Sequence, residues 1–196
     1  IIYCNNINKT FIIHPHGMLL KEALSSAGRI KLFFKILTLI FLKFFLRKNF
    51  FFISITEQES QAIKKFFPSA ILKKIPNPIP FEIFDAEVKN KLKQIIYFGR
   101  IHPHKNIELL IEGFINAKLG TEWKLKIYGI RDDEKYFDRL QKIIKNYDNI
   151  NIYEPVFGQE RQNIMSSSWA NILVSKSEVL SLSILESSYF GLPSIT

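Results

Sequence analysis

Alternating strand and helix signals joined by short loops predict an α/β chain, built from right-handed βαβ units around parallel sheets. Two further observations sharpen this: the second half reads as a doubly wound architecture of the nucleotide-binding kind, and three candidate clusters along the chain open on loops that follow strands. With 196 residues, the chain fits one large domain or two small ones. A hydrophobic share of 47% against 23% charged residues implies a packed core and excludes intrinsic disorder. Gly and Pro at 8 each exclude a collagen-like or linker-dominated chain. The lone cysteine, Cys4, excludes an internal disulfide and points to a reducing compartment. Lys and Arg outnumber Asp and Glu by 27 to 18, an excess that points to phosphates, nucleotides or an anionic surface. An intracellular α/β enzyme and a basic binding module remain open.

The elements follow in order. Residues 10–13 read as a strand. From Arg29 to Lys48 run six basic residues and no acid, interleaved with Phe33, Phe34, Leu37, Ile40, Phe41, Phe44 and Phe45 at spacings that share one helical face. Within this segment the longest uncharged run, Ile36 to Leu42, is far short of the ~20 residues a bilayer span requires. The expectation is a basic amphipathic helix lying on an anionic membrane surface through residues 29–48, the plainer alternative being a core-facing helix with a solvated basic edge. Residues 50–55 form an apolar strand, and Thr56-Glu57-Gln58-Glu59 reads as a capping box opening a helix to about Phe67. A strand at 71–75 stops at Pro76-Asn77-Pro78-Ile79-Pro80, and residues 81–93 read as a linker. Strands at 94–98, 123–128, 149–153 and 171–174 then alternate with helices at 107–118, 133–147, 160–167 and 183–190. Gly191 closes the last helix and Pro193 to Thr196 opens another strand. The expected organisation is a partial N-terminal Rossmann-like domain over 1–80, a linker over 81–93, and a C-terminal Rossmann-like domain over 94–196, truncated at its end. The chain starts without Met, shows no signal or transit sequence, and reads as a fragment.

Three clusters carry candidate chemistry. In Tyr97-Phe98-Gly99-Arg100-Ile101-His102-Pro103-His104-Lys105-Asn106 a strand ends, Gly99 permits close approach, and two cations precede a helix that Asn106 is placed to cap. Arg100 and Lys105 beside a helix N-terminus make an anion site suited to a diphosphate. In Ser177-Glu178-Val179-Leu180-Ser181-Leu182-Ser183-Ile184-Leu185-Glu186, two carboxylates flank seven residues. Glu186, on a helix, can accept hydrogen bonds from a ribose diol, Glu178 reaches another part of the same ligand, and the amides of Val179, Leu180, Ser181, Leu182 and Ser183 point toward phosphate. In Phe11 to Leu19, a strand delivers His16 onto a loop where Gly17 allows a turn. The pairs His14/His16 and His102/His104 invite a metal site, but the intervening prolines spoil convergence and no Cys or carboxylate sits at ligand spacing, so none is expected. Asp132-Asp133-Glu134 is read as a helix cap rather than a metal–diphosphate motif.

Gly-Arg-x4-Lys near the start of a Rossmann-like unit, then Glu-x7-Glu and Gly191-Leu192-Pro193 at its far end, resembles the GT-B nucleotide-sugar glycosyltransferases, and within them the retaining glycosyltransferase family 4, or group 1. Tyr97 to Gly113 looks like that family's signature at the start of its C-terminal domain. Ile75 to Ile79 resembles its lead-in to the interdomain linker. One departure is visible: many members carry Gly-Phe-Gly after the first Glu, where this chain has Val179-Leu180-Ser181. In family context His16 resembles the N-terminal-domain histidine beside the donor sugar.

The resemblance implies a GT-B fold, two Rossmann-like domains facing a cleft, and transfer of a sugar from a nucleotide-diphosphate donor to a glycan or lipid-linked acceptor with retention. It implies no cofactor and no obligate metal, so Arg100 and Lys105 would stabilise the leaving diphosphate, assisted by residues 179–182. Glu186 would hold the ribose, Glu178 would position donor-sugar hydroxyls, and His16 would close on the sugar; Glu178 and His16 are thus the catalytic candidates. The basic Phe-rich helix belongs to the acceptor-side domain, hence an expected cytoplasmic location on the inner membrane face, in polysaccharide or lipopolysaccharide biosynthesis. Two rivals stand: a GT-B phosphorylase or nucleotide-sugar epimerase, and a non-enzymatic basic module. Nucleic acid is not expected as a partner, because the basic aromatics are confined to one helix.

Overall fold

The computed structural model describes residues 11–25, 28–45, 50–76 and 91–196. Contacts divide the chain into two compact units, Ile1–Pro78 with Ser177–Leu180, and Ile79–Lys176 with Ser181–Thr196. The short segment 177–180, which the sequence reads as part of the second domain, thus groups with the first unit. Most of the expected linker lies within 77–90, outside the described residues.

The first unit holds a three-stranded parallel sheet in the order β1-β2-β3, with β1 at Phe11–Ile13, β2 at Phe50–Ser54 and β3 at Ile71–Lys74. A short helix α1 (Lys21–Ser25), which the sequence reading does not contain, precedes α2 (Arg29–Phe45). Helix α3 (Glu57–Phe66) follows β2 and starts where Thr56 Oγ1 accepts the Glu59 amide at 3.2 Å. Leu19, Phe52, Ile63 and Phe67 form the core, and Leu39 and Leu42 of α2 pack against it.

That packing decides the orientation of α2. Its inward stripe is Leu39 and Leu42, whereas the Phe-rich face is turned to solvent, with Phe33 63%, Phe34 60%, Leu37 51%, Ile40 60% and Phe41 49% exposed. Lys35 folds back to donate to the Ala23 carbonyl at 3.0 Å, tying α2 to α1. Among the described residues no helix is long and apolar enough to cross a membrane.

The second unit is a five-stranded, all-parallel sheet in the order β6-β5-β4-β7-β8. Its strands are β4 (Gln94–Phe98), β5 (Lys124–Tyr128), β6 (Ile150–Tyr153), β7 (Ala170–Ile172) and β8 (Ser194–Ile195). Between them lie α4 (Ile107–Asn116), α5 (Glu134–Ile144), α6 (Gly158–Ser167) and α7 (Leu182–Tyr189). Central strand β4 is buried on both faces, the condition that allows a near-continuous apolar run in a parallel sheet. Ile95 and Tyr97 face the cluster of α4 and α5, while Ile96 and Phe98 face Met165 and Leu192. Strands β5 and β6 open one residue later than the sequence suggests. Just before the two strands begin, the Asn149 side-chain Nδ2 donates to the Trp123 carbonyl at 3.0 Å, and the Asn149 carbonyl accepts the Leu125 amide at 2.9 Å.

The sheet grows in one direction from β4 to β5 and β6, then in the other through β7 and β8. The strand order reverses between β4 and β7, and ligands of doubly wound sheets bind in the crevice outside the strand ends at such a switch point. Within this unit the segments that open there are 99–106 and 173–176.

Candidate functional site

In the second unit the loop after β4 begins with a close backbone approach. A Cβ on Gly129 would run into the Gly99 carbonyl oxygen, so the β4 and β5 ends lie against each other and steer the chain into Arg100. Arg100 Nη1 pairs with Asp132 Oδ2 at 2.8 Å, an exposed contact of the kind worth about 0–1 kcal/mol. The neighbouring Asp133 caps α5, accepting the Tyr136 amide at 2.9 Å. The acidic run is therefore divided between an Arg partner and a helix cap.

Residues Pro103–Lys105 form a 3₁₀ turn, with His102 Nδ1 accepting the His104 amide at 3.2 Å. Asn106 does not cap α4 with its side chain, contrary to the expectation from its position. It adopts a left-handed backbone, φ 54°, which turns the chain from the 3₁₀ segment into the helix. The His102 and His104 rings lie parallel, 5.3 Å apart. The Lys176 amide donates to the His104 carbonyl at 2.9 Å, joining the two switch-point loops. Burial, then His102, Lys176, Arg100 and Lys105 in that order, hold the His104 imidazole below its ordinary value. The local field around His104 is thus cationic. Lys176 belongs to this field and escaped the sequence reading, where it is one more loop lysine after a strand.

On the other side of the switch point, Ser181 precedes α7 without capping it, and its hydroxyl bonds Ser183 Oγ at 2.9 Å instead of standing ready for a ligand. Leu182 is exposed at the first position of the helix. α7 is fixed to the sheet by a polar seam: buried Asn171 of β7 donates to the Ser183 carbonyl and to Ser187 Oγ, at 3.3 and 3.0 Å. Glu186 of α7 lies beside Arg161 of α6, whose Nε and Nη2 both donate to Oε2 at 2.9 and 2.6 Å. The Arg161 guanidinium also stands over the Phe98 ring, 4.2 Å from its centroid. Phe98, Tyr128 and Tyr153 occupy adjacent register positions and stack in a row across β4, β5 and β6. Burial, with Tyr153 and Glu160 adding, pushes the Tyr128 phenol up to about 12.

In the first unit, β1 leads into a turn in which His16 and Gly17 both have positive φ, 49° and 75°. His16 is exposed and stacks on His14, ring centroids 3.7 Å apart. The turn is held by Glu59, fully buried, which accepts the Gly17 amide at 2.6 Å and the Ile55 amide at 2.7 Å. In a capping box Glu59 would reach back to the N-cap amide. Here its carboxylate bonds one residue further out and across to the His16 turn. Glu178 is exposed, and Val179 and Leu180 half-buried, within the segment that groups with this unit. Among the described residues no group of three or more His, Cys, Asp or Glu gathers into a potential metal site.

Comparison with known proteins identifies the family. Residues 79–196 match the family described as glycosyl transferases group 1. The chain belongs to that family. An uncharacterized glycosyltransferase of Haemophilus influenzae is 27% identical over 146 residues, which cover 72% of this chain and 40% of that relative. The chain therefore spans about two fifths of this relative's length. Among solved structures, WaaG, a glycosyltransferase involved in lipopolysaccharide biosynthesis, superposes with a TM-score of 0.73 at 14% identity, covering 93% of this chain and 55% of its own. HepE of Anabaena, solved with UDP and glucose, gives 0.71 at 15% identity over 97% of this chain and 53% of its own. At such identities the likeness is one of fold, and the fold is that of the GT-B group 1 glycosyltransferases.

Proposed function

We propose that the protein transfers a sugar from a nucleotide-diphosphate donor to a glycan or lipid-linked acceptor with retention at the anomeric carbon, as a family 4 type enzyme of cell-surface polysaccharide or lipopolysaccharide biosynthesis. The observation that carries this reading is the meeting of two loops at the switch point of a doubly wound sheet, where the Lys176 amide donates to the His104 carbonyl at 2.9 Å and the loop that holds His104 also carries Arg100 and Lys105. Negative charge grows on the departing diphosphate, and fixed cations there lower the barrier without an obligate metal. Arg100 exchanges its exposed Asp132 partner for phosphate at little cost. In this reading Glu186 takes the ribose, Glu178 orients sugar hydroxyls, and His16 acts beside the reacting sugar; the amides of residues 179–182 complete the phosphate contacts. HepE, a neighbour of the same fold, is described in complex with UDP and glucose.

Calorimetric titration of nucleoside diphosphates into the full-length protein tests the reading. Replacing Arg100 or Lys105 with Ala removes a charge-assisted contact worth about 1.5–3 kcal/mol and weakens every nucleoside diphosphate alike. Product analysis with and without acceptor, in the presence of EDTA, separates transfer from phosphorolysis and epimerisation. Normal diphosphate binding by both cation variants overturns the assignment.

The same reading places the enzyme on the cytoplasmic face of an anionic membrane. The support is α2, whose Phe33, Phe34 and Phe41 are exposed while Leu39 and Leu42 pack against the core. Neutralising Lys31, Lys35, Lys43 and Arg47 together weakens binding to anionic vesicles by about 1 kcal/mol for each charge near the surface. Lys35, engaged with Ala23, contributes least. Equal binding of parent and variant to anionic and neutral vesicles refutes it.

A further inference from the structure

The ion pair of Arg161 and Glu186 has a geometry that the anion site alone does not require. Both Arg161 donors land on one carboxylate oxygen, Oε2, and among the described residues no side chain or amide donates to Oε1. The pair is largely buried, with the Arg161 side chain 23% and the Glu186 side chain 17% exposed. Arg161 is itself held from two directions. Its stem rises from α6, and its guanidinium plane rests on Phe98, the first ring of the row that continues through Tyr128 and Tyr153. A side chain so braced loses little further freedom when it makes a hydrogen bond, and it fixes the rotation of the carboxylate it grips.

We infer that Arg161 is a positioning residue that holds Glu186 by Oε2, so that Oε1 is presented to the ribose hydroxyls of the donor nucleotide. The inference rests on the nucleotide-site reading above, in which Glu186 takes the ribose. Without Arg161 the carboxylate is free to rotate about its side-chain torsions, and its orientation must be ordered at each binding event. Ribose recognition then weakens while the diphosphate grip stays. Phe98 precedes Gly99-Arg100 in the chain, so the residue that braces Arg161 also leads into the cation loop. Sequence reasoning had no access to this pair, because Arg161 lies 25 positions from Glu186 on a different helix.

The test uses the full-length protein and its Arg161→Met, Arg161→Lys and Glu186→Gln variants. UDP, ADP, GDP and CDP are titrated first, and the tightest is compared with its 2′- and 3′-deoxy forms and with inorganic pyrophosphate. Glu186→Gln loses the ribose preference. Arg161→Met reduces that preference about tenfold, with pyrophosphate affinity unchanged. Arg161→Lys, which still offers a charged donor but not the fork, recovers part of it. Should Arg161→Met fail to fold, the Lys variant decides through the same ratio, a partial loss at constant pyrophosphate affinity. A ribose preference unchanged in the Arg161 variants but lost in Glu186→Gln overturns the positioning role and leaves the nucleotide site intact. Parallel loss of pyrophosphate and ribose affinity also overturns it, since that pattern is a structural defect. Retention of the preference by Glu186→Gln, or no binding by any of the four nucleotides, removes the nucleotide-site reading itself.

Discussion

Glu59 offers the most direct test of how the first unit is built. The perturbation is Glu59→Ala, with Glu59→Gln as the conservative partner. Glu59 is fully buried, and it accepts the amides of Gly17 and Ile55 at 2.6 and 2.7 Å, both of them donors on buried residues. Its place in the first turn of α3 lets the free helix amides stabilise the carboxylate. Removing the acceptor leaves two buried donors unpaired, each costing about 1–3 kcal/mol, so Ala costs about 2–6 kcal/mol in all. Gln keeps one carbonyl acceptor but turns an NH₂ group toward the other donor, for a loss of about 1–3 kcal/mol. At a urea dependence of about 2 kcal/mol per molar, the Ala loss lowers the midpoint by roughly 1–3 M. Hydrogen exchange supplies the local readout, because protection at the Gly17 and Ile55 amides reports these two bonds directly. Tryptophan fluorescence serves as the contrast, since Trp123 and Trp169 both lie in the second unit. Unchanged exchange at both amides in the Ala variant, with an unshifted midpoint by circular dichroism, would refute the reasoning.

Three other residues give outcomes of the same kind. His104 is held below the ordinary imidazole value of 6.5 by burial and by the cationic groups around it; a bound diphosphate offsets the charged part and raises the value, so binding takes up protons and tightens as pH falls through the range between the free and the bound value. Calorimetry in two buffers of different ionisation enthalpy detects the uptake, and its absence, or its persistence in His104→Asn, counts against the cation site. In the free protein the unfolded chain binds more protons than the folded one between the lowered value and 6.5, so His104 makes folding less stable as pH drops through that window. Gly129→Ala forces a methyl against the Gly99 carbonyl and costs about 1–3 kcal/mol, read as a lower urea midpoint by tryptophan fluorescence; an unshifted midpoint shows that the strand ends have room to part. His16→Ala lowers turnover far more than donor affinity, as steady-state kinetics and calorimetry will show, and collapse of affinity at unchanged turnover makes His16 a binding residue instead.

Much of the architecture was legible in the sequence because its signals are local. Apolar runs such as Gln94 to Phe98, the Thr56 cap and the stop at Gly191 act over a few residues, and they yielded the strand–helix alternation nearly element by element. The loop of residues 99–106 was legible for the same reason, being a contiguous string after a strand. Local signals also misled in places. Asn106 has the residue type of a cap but takes a left-handed backbone, and Ser181 spends its hydroxyl on Ser183. The seven apolar positions of the 29–48 helix showed an amphipathic face, yet periodicity is silent on whether that face meets the core; packing chose Leu39 and Leu42 for the inside and left Phe33, Phe34 and Phe41 out. Tertiary structure alone decided which distant residues meet. The strand order sets β4 beside β7, bringing the Lys176 amide to His104 across 72 positions, and helix packing sets Arg161 against Glu186 and Glu59 against Gly17. A buried charge takes whichever partner the assembled fold places within 3 Å, and strand order and helix packing, which no local pattern encodes, determine that partner.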